Sequence, residues 1–153
     1  MNRRHFIRNT GLGALAAGST LITSKNAFAK KRIRWKMVTT WPKNFPGLGT
    51  GANKLAKMIE QMSDRRIRVK VYGAGELVPA FEIFDAVSRG TAQMGHGASY
   101  YWKGKTEAAQ FFSAVPFGLT ANEMNAWLYY GGGMELWEDL YKDFGLIPTA
   151  AGN

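Results

Sequence analysis

Cysteine is absent from the 153 residues, and histidine occurs only as His5 and His96. A thiolate nucleophile, a disulfide frame, an iron–sulfur cluster and a histidine-rich metal site are therefore excluded. His96 stands between Gly95 and Gly97, but no serine–acid pair is spaced to serve it, and no Gly-x-Ser-x-Gly elbow occurs. It reads as structural before it reads as catalytic. Glu135, Glu138, Asp139 and Asp143 are spaced as a solvated helix face, not as an acid–base pair. Gly47-Leu48-Gly49-Thr50-Gly51-Ala52 matches Gly-x-Gly-x-x-Ala, the turn that brings backbone N–H groups against a pyrophosphate. A loop with two prolines precedes it where a tight turn is needed, and the position about 20 residues on is basic, not acidic. The segment reads instead as a flexible start to a helix that lines a ligand cleft. The aromatic residues are more telling. Trp41 and the run Tyr100-Tyr101-Trp102 follow strand-like segments, where aromatic rings wall small-molecule pockets and phenol hydroxyls read polar atoms.

Periodicity supplies the elements that must carry these residues. Residues 33–40 alternate as a strand, with Trp35, Met37 and Thr39 set against basic positions. Ala52, Leu55, Ala56, Ile59 and Met62 repeat at helical spacing up to about Ser63. Residues 67–72, Ile-Arg-Val-Lys-Val-Tyr, predict a half-exposed strand with Arg68 and Lys70 outward. The turn 73–78 leads to Pro79 as a first helical residue, and Gly90 ends that helix. Short strands are expected at 91–95 and 111–115. Thr120 and Glu123 form a capping box for a helix to Tyr130. A second helix runs from 134 to about 144, and residues 146–151 begin another strand. Strands alternating with helices in this way imply βαβ units, an α/β fold with a mostly parallel sheet.

Hydrophobic residues make up 46% and charged residues 20% of the chain, enough for a packed core, and the formal net charge is +9. That charge is unevenly placed. Residues 1–29 hold Arg3, Arg4, Arg8 and Lys25, no acid, and a weakly apolar run closing on Ala27-Phe28-Ala29. The run is too short and too glycine-rich for a membrane span of about 20 residues. The order of the parts resembles a twin-arginine signal peptide with Arg3-Arg4 as its pair and cleavage after Ala29. Removing it takes four of the twenty basic residues and leaves sixteen against eleven acidic ones, a net of +5. With no basic helix and no basic–aromatic platform, nucleic acid is not an expected partner.

Several segments taken together resemble one family. They are Thr39-Thr40-Trp41-Pro42, residues 73–79 (Gly-Ala-Gly-Glu-Leu-Val-Pro), residues 84–90 (Phe-Asp-Ala-Val-Ser-Arg-Gly), residues 94–102 (Met-Gly-His-Gly-Ala-Ser-Tyr-Tyr-Trp) and residues 114–118 (Ala-Val-Pro-Phe-Gly). The family is the DctP-type extracytoplasmic solute receptors of TRAP transporters, and the likeness is greatest to the branch that binds α-keto acids and other small monocarboxylates. It implies a two-lobe α/β receptor of the periplasmic binding protein type II class. Residues 30–153 would then be its N-terminal lobe, apparently truncated, with a periplasmic location, a small carboxylate as ligand and TRAP membrane permease subunits as partners. A homodimer is left open. The first-lobe wall implied by the resemblance is Trp41, Glu76, Tyr100 and Tyr101, with Asn153 starting the strand that enters the cleft. The main carboxylate-gripping arginine, and the ligands of any metal cation bound with the solute, are implied to lie in the second half. No catalysis is implied. The alternative reading is a twin-arginine-exported periplasmic α/β enzyme. Two further expectations concern the wall. Gly95 and Gly97 let a small solute approach the backbone. Tyr100 and Tyr101, as neighbours in an extended segment, point oppositely, so only Tyr101 meets the ligand directly.

Overall fold

The computed structural model describes residues 32–151, so the readings placed on Arg3, Arg4, Ala27, Ala29 and Asn153 lie outside the described residues. β1 (Ile33–Thr39) is the middle strand of a three-stranded sheet ordered β2–β1–β3. β2 (Ile67–Tyr72) and β3 (Met94–His96) both pair with it in parallel. The central position explains why Met37, Val38 and Thr39 are all buried. Both faces of the strand are covered there, so alternation gives way to a continuous buried run. β2, at the edge, keeps the alternation: Val69 and Val71 are buried, and Arg68 and Lys70 are exposed.

α1 (Leu48–Met62) covers one face. Its buried Ala52 and Ala56 let the helix approach Met37, Val69 and Val71 closely, and Leu55 and Ile59 flank that contact. The other face carries Val38, packed with Ile83 and Phe84 of α2 (Ile83–Ser88), Ala92, Trp102, Ala109 and Tyr141. A smaller cluster lies beside it, where Phe112 stacks on Trp127 at 5.5 Å and on Trp137 at 5.3 Å. This cluster ties α3 (Ala121–Tyr130) to α4 (Gly133–Lys142) through Met124 and Leu128. No helix among the described residues is long and apolar enough to cross a membrane.

Three expectations need correction. Residues 111–115 form no strand. Glu107–Phe112 is a 3-10 helix, with Phe112 buried and Phe111 55% exposed. A short apolar run of this kind suits either element, and the sheet offers it no partner. Residues 146–151 likewise join no strand. Pro79 stands just outside its helix, in the extended conformation (φ −54°, ψ 149°), and a 3-10 turn at Ala80–Glu82 leads into α2.

The capping box is formed as expected. The Thr120 N–H donates to Glu123 Oε2 at 2.8 Å, and the Glu123 N–H reaches Thr120 Oγ1 at 3.5 Å. Thr120→Ala should lower the melting temperature by a few degrees through loss of the N-cap. Thr120→Ser should restore it, and a calorimetric scan of the three proteins checks both.

Candidate functional site

With strand order 2–1–3, the chain leaves β1 to one side and returns to β3 on the other. The crevice this creates lies at the C-terminal ends of β1 and β3, the place where open α/β sheets hold ligands. Trp41 follows β1 and His96 ends β3, and the register sets Thr39 opposite His96. The Trp41 indole N–H donates to His96 Nδ1 at 2.9 Å, with the rings edge to face at 5.1 Å. The Trp41 backbone is fixed separately. Its carbonyl accepts from the Thr39 hydroxyl at 2.8 Å and from the Ala74 N–H at 2.9 Å. Trp41 is 9% exposed and Thr39 2%, so this corner of the edge is rigid. Burial holds the His96 imidazole below its ordinary pKa of 6.5, which keeps it neutral at pH 7.

Tyr100 and Tyr101 lie beyond β3 in a 3-10 helix, Ser99–Trp102. This corrects the expectation of opposed side chains. In so tight a turn the two rings are neighbours, 4.6 Å apart and tilted by 62°, with their hydroxyls 3.5 Å from each other. Phe81, 63% exposed, packs edge-on against Tyr101 at 5.1 Å. Both tyrosines are more than a third exposed, and together they form one phenolic surface. The hydrogen bond shared with Tyr100, in which the Tyr101 proton is held, and then partial burial and the neighbour's charge, push the Tyr101 phenol above its ordinary pKa, so it is a neutral donor at pH 7. Thr40 Oγ1 and Ser99 Oγ, at the same edge, are buried without a hydrogen-bond partner among the described residues.

Glu76 holds its own turn. One carboxylate oxygen accepts from the Gly73 N–H at 2.9 Å, and the other faces Lys43 Nζ at 3.8 Å. The structure joins this turn to Trp41 through Ala74, and Trp41 to β3 through His96. The glycines have a different use from the one expected. A Cβ on Gly97 would lie 2.9 Å from Ile83 Cδ1 and 3.1 Å from both Thr40 and Trp102, and one on Gly95 would meet Val87. Their missing side chains make room for protein. Gly49 is similar, since a Cβ there would lie 2.5 Å from the Pro42 carbonyl oxygen. The glycine-rich start of α1 thus seats the Trp41–Gly47 loop against the helix.

A cavity of about 130 Å³ lies behind the tyrosine segment, among Phe84, Ser99, Trp102, Trp137, Tyr141 and Ile147. No charged side chain lines it, and none of Trp41, Glu76, Tyr100 or Tyr101 does; its polar lining includes Ser99 Oγ, Trp137 Nε1 and Tyr141 OH, each buried without a hydrogen-bond partner among the described residues. Among the described residues no group of three or more His, Asp or Glu side chains could hold a metal ion.

A parallel sheet ordered β2–β1–β3 with helices on both faces is the frame that this chain shares with solved solute-binding proteins. The chain belongs to the bacterial extracellular solute-binding protein family 7 (DctP), whose profile matches residues 37–146. It is similar to a monocarboxylate 2-oxoacid-binding periplasmic protein of Nostoc sp. (strain PCC 7120), with 36% identity over 100% of this chain and 43% of that protein. Among solved structures it is similar to a TRAP periplasmic solute-binding protein of Pseudoalteromonas atlantica T6c with bound sodium and pyruvate. There the identity is 48% and the TM-score 0.74, over 76% of this chain and 36% of that one. The corresponding protein of Colwellia psychrerythraea, with bound calcium and pyruvate, gives 46% identity and a TM-score of 0.74 over the same shares. The chain thus spans about two fifths of the length of these relatives. The family serves transport as solute-binding receptors and is not a family of enzymes.

Sequence reading missed the Trp41–His96 pairing. The two residues are 55 positions apart, and only the β1–β3 register brings them together. The Lys43–Glu76 and Phe81–Tyr101 contacts escaped for the same reason. Local sequence carries no signal for a partner on another element.

Proposed function

We propose that this chain is the N-terminal lobe of a periplasmic TRAP-transporter receptor that captures a small 2-oxo monocarboxylate and hands it to membrane permease subunits without chemical change. The observation that carries the reading is the 46–48% identity to two receptors solved with pyruvate bound. In this reading residues 30–153 form the lobe, and Trp41, Tyr100 and Tyr101 wall one side of the cleft. Glu76 shapes the wall through its turn, and Asn153 starts the strand that enters the cleft. The phenol hydroxyls donate to the ligand's oxygens in a partly dry setting, where a bond to a carboxylate is strengthened by its charge. The second lobe brings the principal cation for the carboxylate. A metal ion bound with the solute takes its ligands mainly from outside the described residues. A related receptor of Bordetella bronchiseptica RB50, solved as a mixed-occupancy dimer with calcium and picolinate, supports both a cation and a dimer.

A thermal-shift series on the complete receptor tests the ligand class. At a concentration 100 times its Kd, a ligand that binds only the folded state adds about 2.7 kcal/mol. Pyruvate and 2-oxobutyrate should raise the melting temperature by several degrees, and succinate should leave it unchanged. A shift with succinate and none with pyruvate would overturn the proposed specificity.

The export route is part of the same reading. Arg3 and Arg4 direct a folded precursor across the inner membrane, and cleavage follows Ala29. Replacing both arginines by lysine should leave uncleaved precursor in the cytoplasm, as seen by fractionation and immunoblotting. Normal periplasmic yield of that double variant would remove the twin-arginine claim.

A further inference from the structure

Trp41 is anchored twice, and the two anchors do different things. Thr39 and Ala74 hold its backbone carbonyl, which fixes where the residue sits but does not itself choose the direction of the indole N–H. The indole is held by His96, through the 2.9 Å bond from its N–H to Nδ1. An indole N–H only donates, so His96 Nδ1 must be unprotonated, and the neutral imidazole carries its proton on Nε2. His96 is itself set by the sheet. Its carbonyl accepts from the Thr40 N–H at 3.1 Å, and β3 pairs it opposite Thr39. The acceptor therefore sits on the strand across the crevice from the residue it orients.

We propose that His96 is a positioning residue of the ligand wall, which acts through its Nδ1 acceptor to hold the Trp41 indole in the orientation that the solute meets. This rests on the receptor reading above, in which Trp41 lines the cleft. The side chain of asparagine carries Oδ1 on Cγ, where histidine carries Nδ1, so His96→Asn keeps an acceptor in nearly the same place. His96→Phe keeps a ring and removes the acceptor.

The experiment is a pyruvate titration of the complete receptor, with the melting temperature and the Trp41 indole N–H resonance recorded without ligand. The resonance is assigned from its disappearance in Trp41→Phe. His96→Phe should weaken pyruvate binding roughly five- to tenfold, as expected for one lost orienting hydrogen bond, and should shift the indole resonance. His96→Asn should bind within about threefold of wild type and return the resonance toward its original position. In a Trp41→Phe background, which has no indole donor, His96→Phe should cost nothing further. The proposal is overturned if His96→Phe binds like wild type, if His96→Asn is as weak as His96→Phe, or if the effects of Trp41→Phe and His96→Phe simply add. Should His96→Phe fail to fold, His96→Leu, which also lacks the acceptor, takes its place in the same cycle with Trp41→Phe and in the indole measurement. A wild-type receptor that ignores pyruvate sinks the receptor reading instead, while the resonance tests the Trp41–His96 bond without ligand.

Discussion

Phe84→Ala is expected to destabilise the lobe by about 3–5 kcal/mol, the range for an aromatic residue removed from a packed core. Phe84 is 4% exposed and touches three other rings: Phe144 at 5.0 Å, Tyr141 at 5.4 Å and Trp102 at 5.6 Å. It is the point at which α2, α4 and the segment after β3 share one core. The neighbours belong to different elements held by their own backbone bonds, so they cannot all collapse into the space left behind. A loss of this size is a large part of the roughly 5–15 kcal/mol that a domain has in total. Binding should weaken as well, because Trp102 directly follows Tyr101 and loses a supporting ring. Urea unfolding of the variant beside the wild type measures the effect. A change below about 1 kcal/mol would mean that the three rings close the gap at little cost and that the core around Phe84 is loosely packed.

Tyr101→Phe is expected to weaken pyruvate binding by the complete receptor roughly 10- to 150-fold, which corresponds to about 1.5–3 kcal/mol for one hydrogen bond to a carboxylate. The unliganded melting temperature should hardly move. The hydroxyl is on the surface formed with Tyr100, and ring packing against Phe81 survives the substitution. The 3-10 geometry changes what is expected of Tyr100. Its hydroxyl lies 3.5 Å from that of Tyr101, so Tyr100→Phe removes a neighbour of the donor and should weaken binding by a smaller factor. Isothermal titration of the two single variants separates these effects. If both bind like wild type, the tyrosine pair is a packing feature and the first-lobe contacts fall to Trp41 and the Glu76 turn.

Much of the frame could be read from local pattern, because local physics decides it. Residues 67–72 alternate charged and β-branched side chains and form β2 at those bounds. Thr120 and Glu123 satisfy each other's orphan N–H groups, and α3 starts there. Gly90 and Gly145 adopt positive φ, 75° and 66°, just past the ends of α2 and α4, as helix-terminating glycines do. The misreadings concern segments whose state is set from outside. Residues 111–115 and 146–151 are short and largely apolar, and whether such a run becomes a strand depends on a free ladder position beside it. The Ser99–Trp102 turn was hidden for a related reason: an aromatic run favours strand by propensity, and packing against Phe84 overrides that preference. At the candidate site the residue types were legible and their partners were not. Trp41, Tyr100 and Tyr101 stand out as aromatic residues past strand ends. That Trp41 would be oriented by His96, and that the two tyrosines would share one surface, depends on register and on a turn of a few residues.

The crevice edge bearing Trp41, Tyr100 and Tyr101 has to be one wall of a small-monocarboxylate site if the chain is a receptor lobe of this kind. Isothermal titration of pyruvate into the complete receptor, with the pyruvate assayed afterwards, tests this most directly. The expected result is a single saturable site with a Kd in the micromolar range, near about −8 kcal/mol, and quantitative recovery of unchanged pyruvate. Absence of saturable heat at millimolar pyruvate, or steady consumption of the acid, would contradict it.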